Sequence, residues 1–63
     1  AERVITSVVR NLIRELGGEC TTTDVYNAAT ERGYDEETAD RVLSTLRTRG
    51  TLWCPRLDIW RLA

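Results

Sequence analysis

Gly50–Leu62 reads G-T-L-W-C-P-R-L-D-I-W-R-L. Two short runs rich in β-branched and aromatic residues flank Pro55-Arg56-Leu57-Asp58, a pattern that predicts strand, tight connection, strand. Two registers are open to this hairpin. Pairing Cys54 with Ile59 mixes apolar and polar residues on both faces. Pairing Trp53 with Ile59 gathers Leu52, Cys54, Trp60 and Leu62 on one face and Thr51, Trp53, Ile59 and Arg61 on the other. A slip of one residue moves the whole apolar set, so the register that gathers a core face is expected. It buries Trp60 and leaves Trp53 and Ile59 outside, beside Arg56 and Arg61. An exposed Trp and Ile among arginines make a contact surface. The other reading of Trp53 lays it flat against the preceding helix, where it completes the core.

The segment before the hairpin is helical. Ala39, Val42, Leu43 and Leu46 form an apolar stripe at helical spacing. Asp35 is placed to cap it, and Glu36 and Glu37 in the first turn suit the helix dipole. Arg47 and Arg49 fall in the last turn, and Gly50 stops the helix. A second helix ends near Arg32, with Val25, Ala28 and Ala29 inward, Thr21, Thr22 and Thr23 as N-cap candidates, and Asp24 in the first turn. Gly33-Tyr34 is a connection short enough for a helix-turn-helix. Upstream, Val4, Ile5, Val8, Val9, Leu12, Ile13 and Leu16 form one wide helical face that ends at Gly17-Gly18. Its many β-branched residues mean that packing, not propensity, holds this helix. Glu19-Cys20-Thr21 can form a short strand.

The chain has 63 residues, enough for one domain and one core. At this size a fold buries only about 60% of its unfolded surface, leaving little room for an enclosed substrate pocket. No apolar run is long enough to cross a membrane, and no leader pattern is present. There is no histidine, and Cys20 and Cys54 lack metal-ligand spacing, so neither a metal nor another cofactor is expected. Two thiols in small or half-buried positions point to a reducing, cytoplasmic setting. The formal net charge is −1, so bulk charge does not mark a nucleic-acid binder. The distribution is uneven. Asp35, Glu36, Glu37 and Asp40 cluster, whereas from Arg41 onward five arginines face one acid, Asp58, a local charge of +4.

These elements in order predict an α+β fold: a small winged helix, that is, a helix-turn-helix of three helices with a short strand and a C-terminal β-hairpin wing. Residues 1–63 form one such domain. The chain starts within a helical pattern and stops within a strand pattern, which points to a piece from the C-terminus of a larger protein.

Leu46-Arg47-Thr48-Arg49-Gly50-Thr51-Leu52-Trp53-Cys54-Pro55-Arg56 resembles the helix end and wing of the C-terminal winged helix of archaeal minichromosome maintenance (MCM) replicative helicases. Leu52 matches that family's aliphatic, Trp53 its aromatic, Pro55-Arg56 its Pro-Arg, and Arg61-Leu62 its basic-aliphatic ending. Glu31-Arg32-Gly33 and the acidic start of the third helix also fit. Cys54 stands where an acid is usual, and Leu57-Asp58 replaces a frequent Pro-Gly-like turn. Outside these residues the likeness is one of topology. It implies an accessory element that modulates a DNA replication helicase and contacts partners, with the ATPase site elsewhere in a larger polypeptide.

Two functions are weighed against each other. The first is this accessory module, whose partners are other domains or subunits of a replication complex, with weak non-specific DNA contact. The second is a free-standing transcription regulator that reads duplex DNA with its third helix. The outward face of that helix carries Glu37, Arg41, Ser44, Thr45 and Thr48, and Glu37 stands four residues before Arg41, where it neutralises it. Base readout relies on Arg, Lys, Asn or Gln near the helix start, and here that start is acidic. Strong sequence-specific binding is therefore not expected. DNA contact falls to Arg47, Arg49, Arg56 and Arg61, with Arg41 a further candidate. About four phosphate contacts imply weak binding with a log–log salt slope of about −3 to −4. The candidate partner contacts are Trp53, Ile59 and the first-helix stripe Arg3, Arg10 and Arg14. That stripe also reads as an ordinary solvated face, although Arg10 and Arg14, four apart, repel each other. No catalytic constellation, membrane contact or small-molecule substrate is expected.

Overall fold

A computed structural model describes residues 2–63. Within them the chain forms α1 (Glu2–Glu15), β1 (Cys20–Thr21), α2 (Thr22–Glu31), α3 (Glu36–Thr48), β2 (Leu52–Arg56) and β3 (Ile59–Leu62). The strands make one antiparallel sheet in the order β1-β3-β2. Three helices and this sheet give a small α+β domain with a winged-helix layout. No described helix is long and apolar enough to cross a membrane.

Local chemistry sets the helix ends. At the start of α2, the Thr21 hydroxyl accepts the Asp24 N–H and the Asp24 carboxylate accepts the Thr21 N–H, both at 3.1 Å. This reciprocal capping box satisfies two donors that the first turn leaves unpaired. Asp35 caps α3 by accepting the Thr38 N–H at 2.8 Å. Gly33, at φ 86°, ends the α2 turn so that the Tyr34 N–H reaches back to the Ala29 carbonyl at 3.0 Å. Gly50, at φ 79°, does the same for α3 and sends the chain into β2, with the Thr51 N–H on the Leu46 carbonyl at 2.9 Å.

The core lies where the three helices meet the inner face of the sheet. Ile5, Val9 and Ile13 of α1 pack with Val25 and Ala29 of α2, with Ala39, Val42, Leu43 and Leu46 of α3, and with Cys20, Leu52 and Trp60 of the sheet. The small side chains of Ala29 and Ala39, both fully buried, let the helices of the helix-turn-helix approach closely. The buried face of α1 is narrower than its apolar periodicity predicts. Ile5, Val8, Val9 and Ile13 are buried, Leu12 is half-buried, and Val4 and Leu16 are exposed. α2, α3 and the sheet cover only part of the circumference of α1, and Leu16 lies past its last turn.

The wing departs from the expected register. Leu52 pairs with Leu62 and Trp53 pairs with Arg61, not with Ile59, and Arg56 pairs with Ile59 across a shift in the ladder. The shift falls at Cys54-Pro55. Pro55 has no N–H to give to a ladder, so the strand bulges there rather than break. The connection is correspondingly short, only Leu57-Asp58, with Asp58 at φ 62°, a conformation Asp tolerates better than most residues. Because the offset is two residues, the face assignment survives. Leu52 and Trp60 are buried, Cys54 is half-buried, and Trp53 is exposed. Leu62, expected on the core face, remains exposed at the end of the hairpin.

Candidate functional site

The wing is tied to the rest of the fold through β3. β1 pairs with β3, placing Cys20 opposite Trp60 and Thr21 opposite Ile59. The ladder continues into α2, where the Thr22 N–H donates to the Asp58 carbonyl at 2.9 Å. The Thr22 hydroxyl accepts the Trp60 indole N–H at 2.9 Å and donates to the Asp58 carboxylate at 3.3 Å. The buried Trp60 thus has its polar atom satisfied, and the Asp58 carboxylate sits at the positive end of α2.

One step beyond Cys20 in the same register, Glu19 comes beside Arg61. Its two carboxylate oxygens divide between the wing arginines: Oε1 lies 3.2 Å from Arg61 Nη1 and Oε2 lies 3.4 Å from Arg56 Nη2. Arg56 and Arg61, both expected DNA contacts, are therefore brought together over an acid. Opposite Arg61 on β2, Trp53 keeps 48% of its surface exposed, and Ile59 is half-buried. Leu57 at the wing tip is 89% exposed. Trp53, Arg61 and the tip make the outward surface of the wing.

The remaining arginines of the C-terminal third also have acidic company. Arg41 pairs with Glu37 at 3.7 Å along the exposed face of α3, as the spacing predicts. Arg49 holds Glu2 at 2.6 Å. Arg47 lines a groove of about 420 Å³ between α2, α3 and the wing, together with Asp40 and Asp58. Near the helix start, Asp35, Glu36, Glu37 and Asp40 are all exposed. The +4 of the linear sequence is thus offset in space by Glu2 and Glu19, which come from far upstream.

Several protonation states are set by this geometry. The Tyr26 hydroxyl donates to Asp40. That hydrogen bond, then partial desolvation and the nearby carboxylates of Asp40, Glu36 and Asp58, push the phenol up to about 12. Hydrogen bonds from Thr38, side chain first and then backbone, hold the Asp35 carboxyl below its usual range. Burial, with a smaller contribution from Asp24, raises the Cys20 thiol to about 11. A thiol held protonated is a poor nucleophile and metal ligand.

The first-helix arginines Arg3, Arg10 and Arg14 share one face of α1. Arg3 and Arg10 line a groove of about 540 Å³ with Arg49, Thr6, Ser7 and Thr51, and Arg14 is not among its walls. A shallower groove continues over α1 from Arg3 and Ser7 to Arg32. Sequence reasoning divided Arg49 from Arg3 and Arg10, and it missed Glu19, Arg32 and Leu57. Leu57 carried a signal, an apolar residue inside the Pro55-Arg56-Leu57-Asp58 connection. The other two are placed by long-range packing, which local pattern does not encode.

Compared with protein-family models, with curated proteins and with solved structures, the chain matches none.

Proposed function

We propose that the chain is a non-catalytic accessory winged-helix module of a DNA replication helicase. It acts through protein contacts and through weak, non-specific DNA contacts made by the wing. One observation carries this reading: the arginines of α3 and the wing share their surroundings with acids, while Trp53 stands open beside Arg61. An arginine that must release a carboxylate before it takes a phosphate gives less net affinity than a free one. A half-exposed Trp next to an arginine is the composition of a protein contact. The assignment to a helicase rests on the resemblance of Leu46–Arg56 and Arg61-Leu62 to the MCM winged helix.

Reading of duplex DNA by α3 is disfavoured. Its start presents Asp35, Glu36 and Glu37 to any approaching phosphate, and Arg41 is engaged by Glu37. No catalytic part is included, since the chain has no histidine and Cys20 is buried and protonated.

Fluorescence anisotropy of the 63-residue chain with labelled duplexes of several sequences tests the reading. Weak binding of equal strength to all sequences, lost at high salt and lost in the R56E/R61E double variant, supports it. Nanomolar binding to one sequence would overturn it in favour of a transcription regulator.

A further inference from the structure

The groove between α1 and the end of α3 has chemistry of its own. Its rim carries three arginines, Arg3, Arg10 and Arg49, and one acid, Glu2. Arg3 and Arg10 are seven residues apart on α1, hence on one face and about 10.5 Å apart along the axis. Thr6, Ser7 and Thr51 add hydroxyl donors, and the buried Leu46 lies among the walls. Neither wing arginine, Arg56 or Arg61, lines it.

The geometry points to a docking site for an acidic peptide segment of a partner protein, a run of Asp and Glu laid along α1 between Arg3, Arg10 and Arg49. Charge complementarity is the first argument. The groove keeps an excess of two positive charges after Glu2 is counted, and the shallower groove that continues it toward Arg32 has no acid among its lining residues. The second argument is that a carboxylate already sits there. Glu2 Oε1 lies 2.6 Å from Arg49 Nη1, the short contact of a charge-assisted hydrogen bond. It shows the ligand type that Arg49 accepts in this groove, and it is a contact that an incoming carboxylate can replace at little cost, since both side chains are substantially exposed. The third argument separates peptide from nucleic acid. No aromatic side chain lines either groove, so a single strand has nothing to stack its bases on. The arginines flank a recess rather than project from a ridge, whereas duplex recognition places a protruding helix or ribbon in a DNA groove.

The test is an NMR titration of the 63-residue chain with a ten-residue polyglutamate peptide, run in parallel with a ten-nucleotide single strand, at low salt. The peptide is expected to move the amides of Arg3, Ser7 and Arg10. The R3E/R10E variant should bind it about tenfold more weakly, in line with the loss and reversal of two exposed ion pairs. Glu2→Gln, which frees Arg49, should tighten binding about twofold. Both substitutions are at exposed positions, and an unchanged thermal midpoint confirms the fold; if R3E/R10E does not fold, the Arg10→Gln and Glu2→Gln variants carry the test. Peptide shifts confined to the wing, no peptide shifts at all, or stronger groove shifts with the oligonucleotide would each overturn the assignment. Arg49 is shared with the expected DNA contacts, but Arg3 and Arg10 are not, and Arg56 and Arg61 are outside the groove. The R3E/R10E and R56E/R61E variants therefore separate failure of the groove from failure of the wing reading.

Discussion

Glu19 and Arg61 are 42 residues apart in sequence and 3.2 Å apart in space, Oε1 to Nη1. The contact follows from strand pairing. Cys20 lies opposite Trp60, so the residue before one meets the residue after the other. The same carboxylate reaches Arg56 at 3.4 Å. A single acid from the N-terminal half thereby holds both arginines of the wing.

Removing that carboxylate should release them. In Glu19→Gln, both guanidiniums become free for phosphates. Non-specific DNA affinity at low salt is expected to rise about threefold, and the salt dependence to steepen by about one counterion. Anisotropy titrations at several salt concentrations check this. Equal affinity and equal slope in wild type and variant would mean that Glu19 does not restrain the wing.

The Trp60–Thr22 hydrogen bond fixes the wing to α2. Thr22→Val keeps the shape and deletes the acceptor, leaving the indole N–H unpaired in a mostly buried position. A loss of about 1–2 kcal/mol in urea unfolding is expected. Trp60→Ala removes a core side chain as well and should cost about 3–5 kcal/mol, close to the whole stability of about 3–9 kcal/mol for a chain of this length. A Trp60→Ala chain that unfolds with the wild-type midpoint would show that the wing is not part of the core.

Thr21→Ala should remove half of the capping box and destabilise the fold by about 1 kcal/mol. Asp35 adds a pH dependence at the other cap. Its folded pKa is depressed, so its contribution is present above the unfolded carboxyl value of about 3.9 and is lost as pH falls through the lower folded value. Tyr26 works in the opposite direction. Its folded pKa of about 12 exceeds the unfolded value of about 10, so its contribution is full below pH 10 and fades as pH rises toward 12. Ultraviolet titration of the two tyrosines should show one ionising about two pH units after its ordinary value, and Asp40→Asn should abolish that delay.

The two thiols should differ sharply in access. Cys20 is 2% exposed with its pKa raised to about 11, and Cys54 is half-buried on the wing. A thiol reagent at neutral pH should modify Cys54 first, and Cys20 only at the rate of opening. Equal rates for both would contradict the burial of β1.

How legible each element was depended on whether its cause is local. α3 could be read almost residue by residue, because Asp35, the Ala39-Val42-Leu43-Leu46 stripe and Gly50 each act within one or two turns. The hairpin was legible as a hairpin, and strand alternation put Trp60 inward; Trp53 was open between an outward and a packed position, and the structure leaves it exposed. The register of the hairpin was not legible: Trp53 pairs with Arg61, two residues from the expected Ile59, and the bulge at Cys54-Pro55 adds one extra residue to β2 before Arg56 meets Ile59. The arginines were visible as a charge imbalance, but their partners Glu2 and Glu19 arrive through helix packing and strand pairing. The grouping of Arg3 and Arg10 with Arg49 has the same origin, since α1 meets α3 only in the folded chain.

The central claim is that the wing and the C-terminal end of α3, not its N-terminal turns, meet DNA, and do so weakly. The most direct measurement is an NMR titration with random-sequence duplex and with single-stranded DNA, at low and at high salt. The account predicts shifts confined to Arg47–Arg61, including the Trp53 indole, that vanish at high salt and leave the amides of Glu36–Ser44 unmoved. Sequence-dependent shifts along Glu36–Ser44 that survive high salt would contradict it.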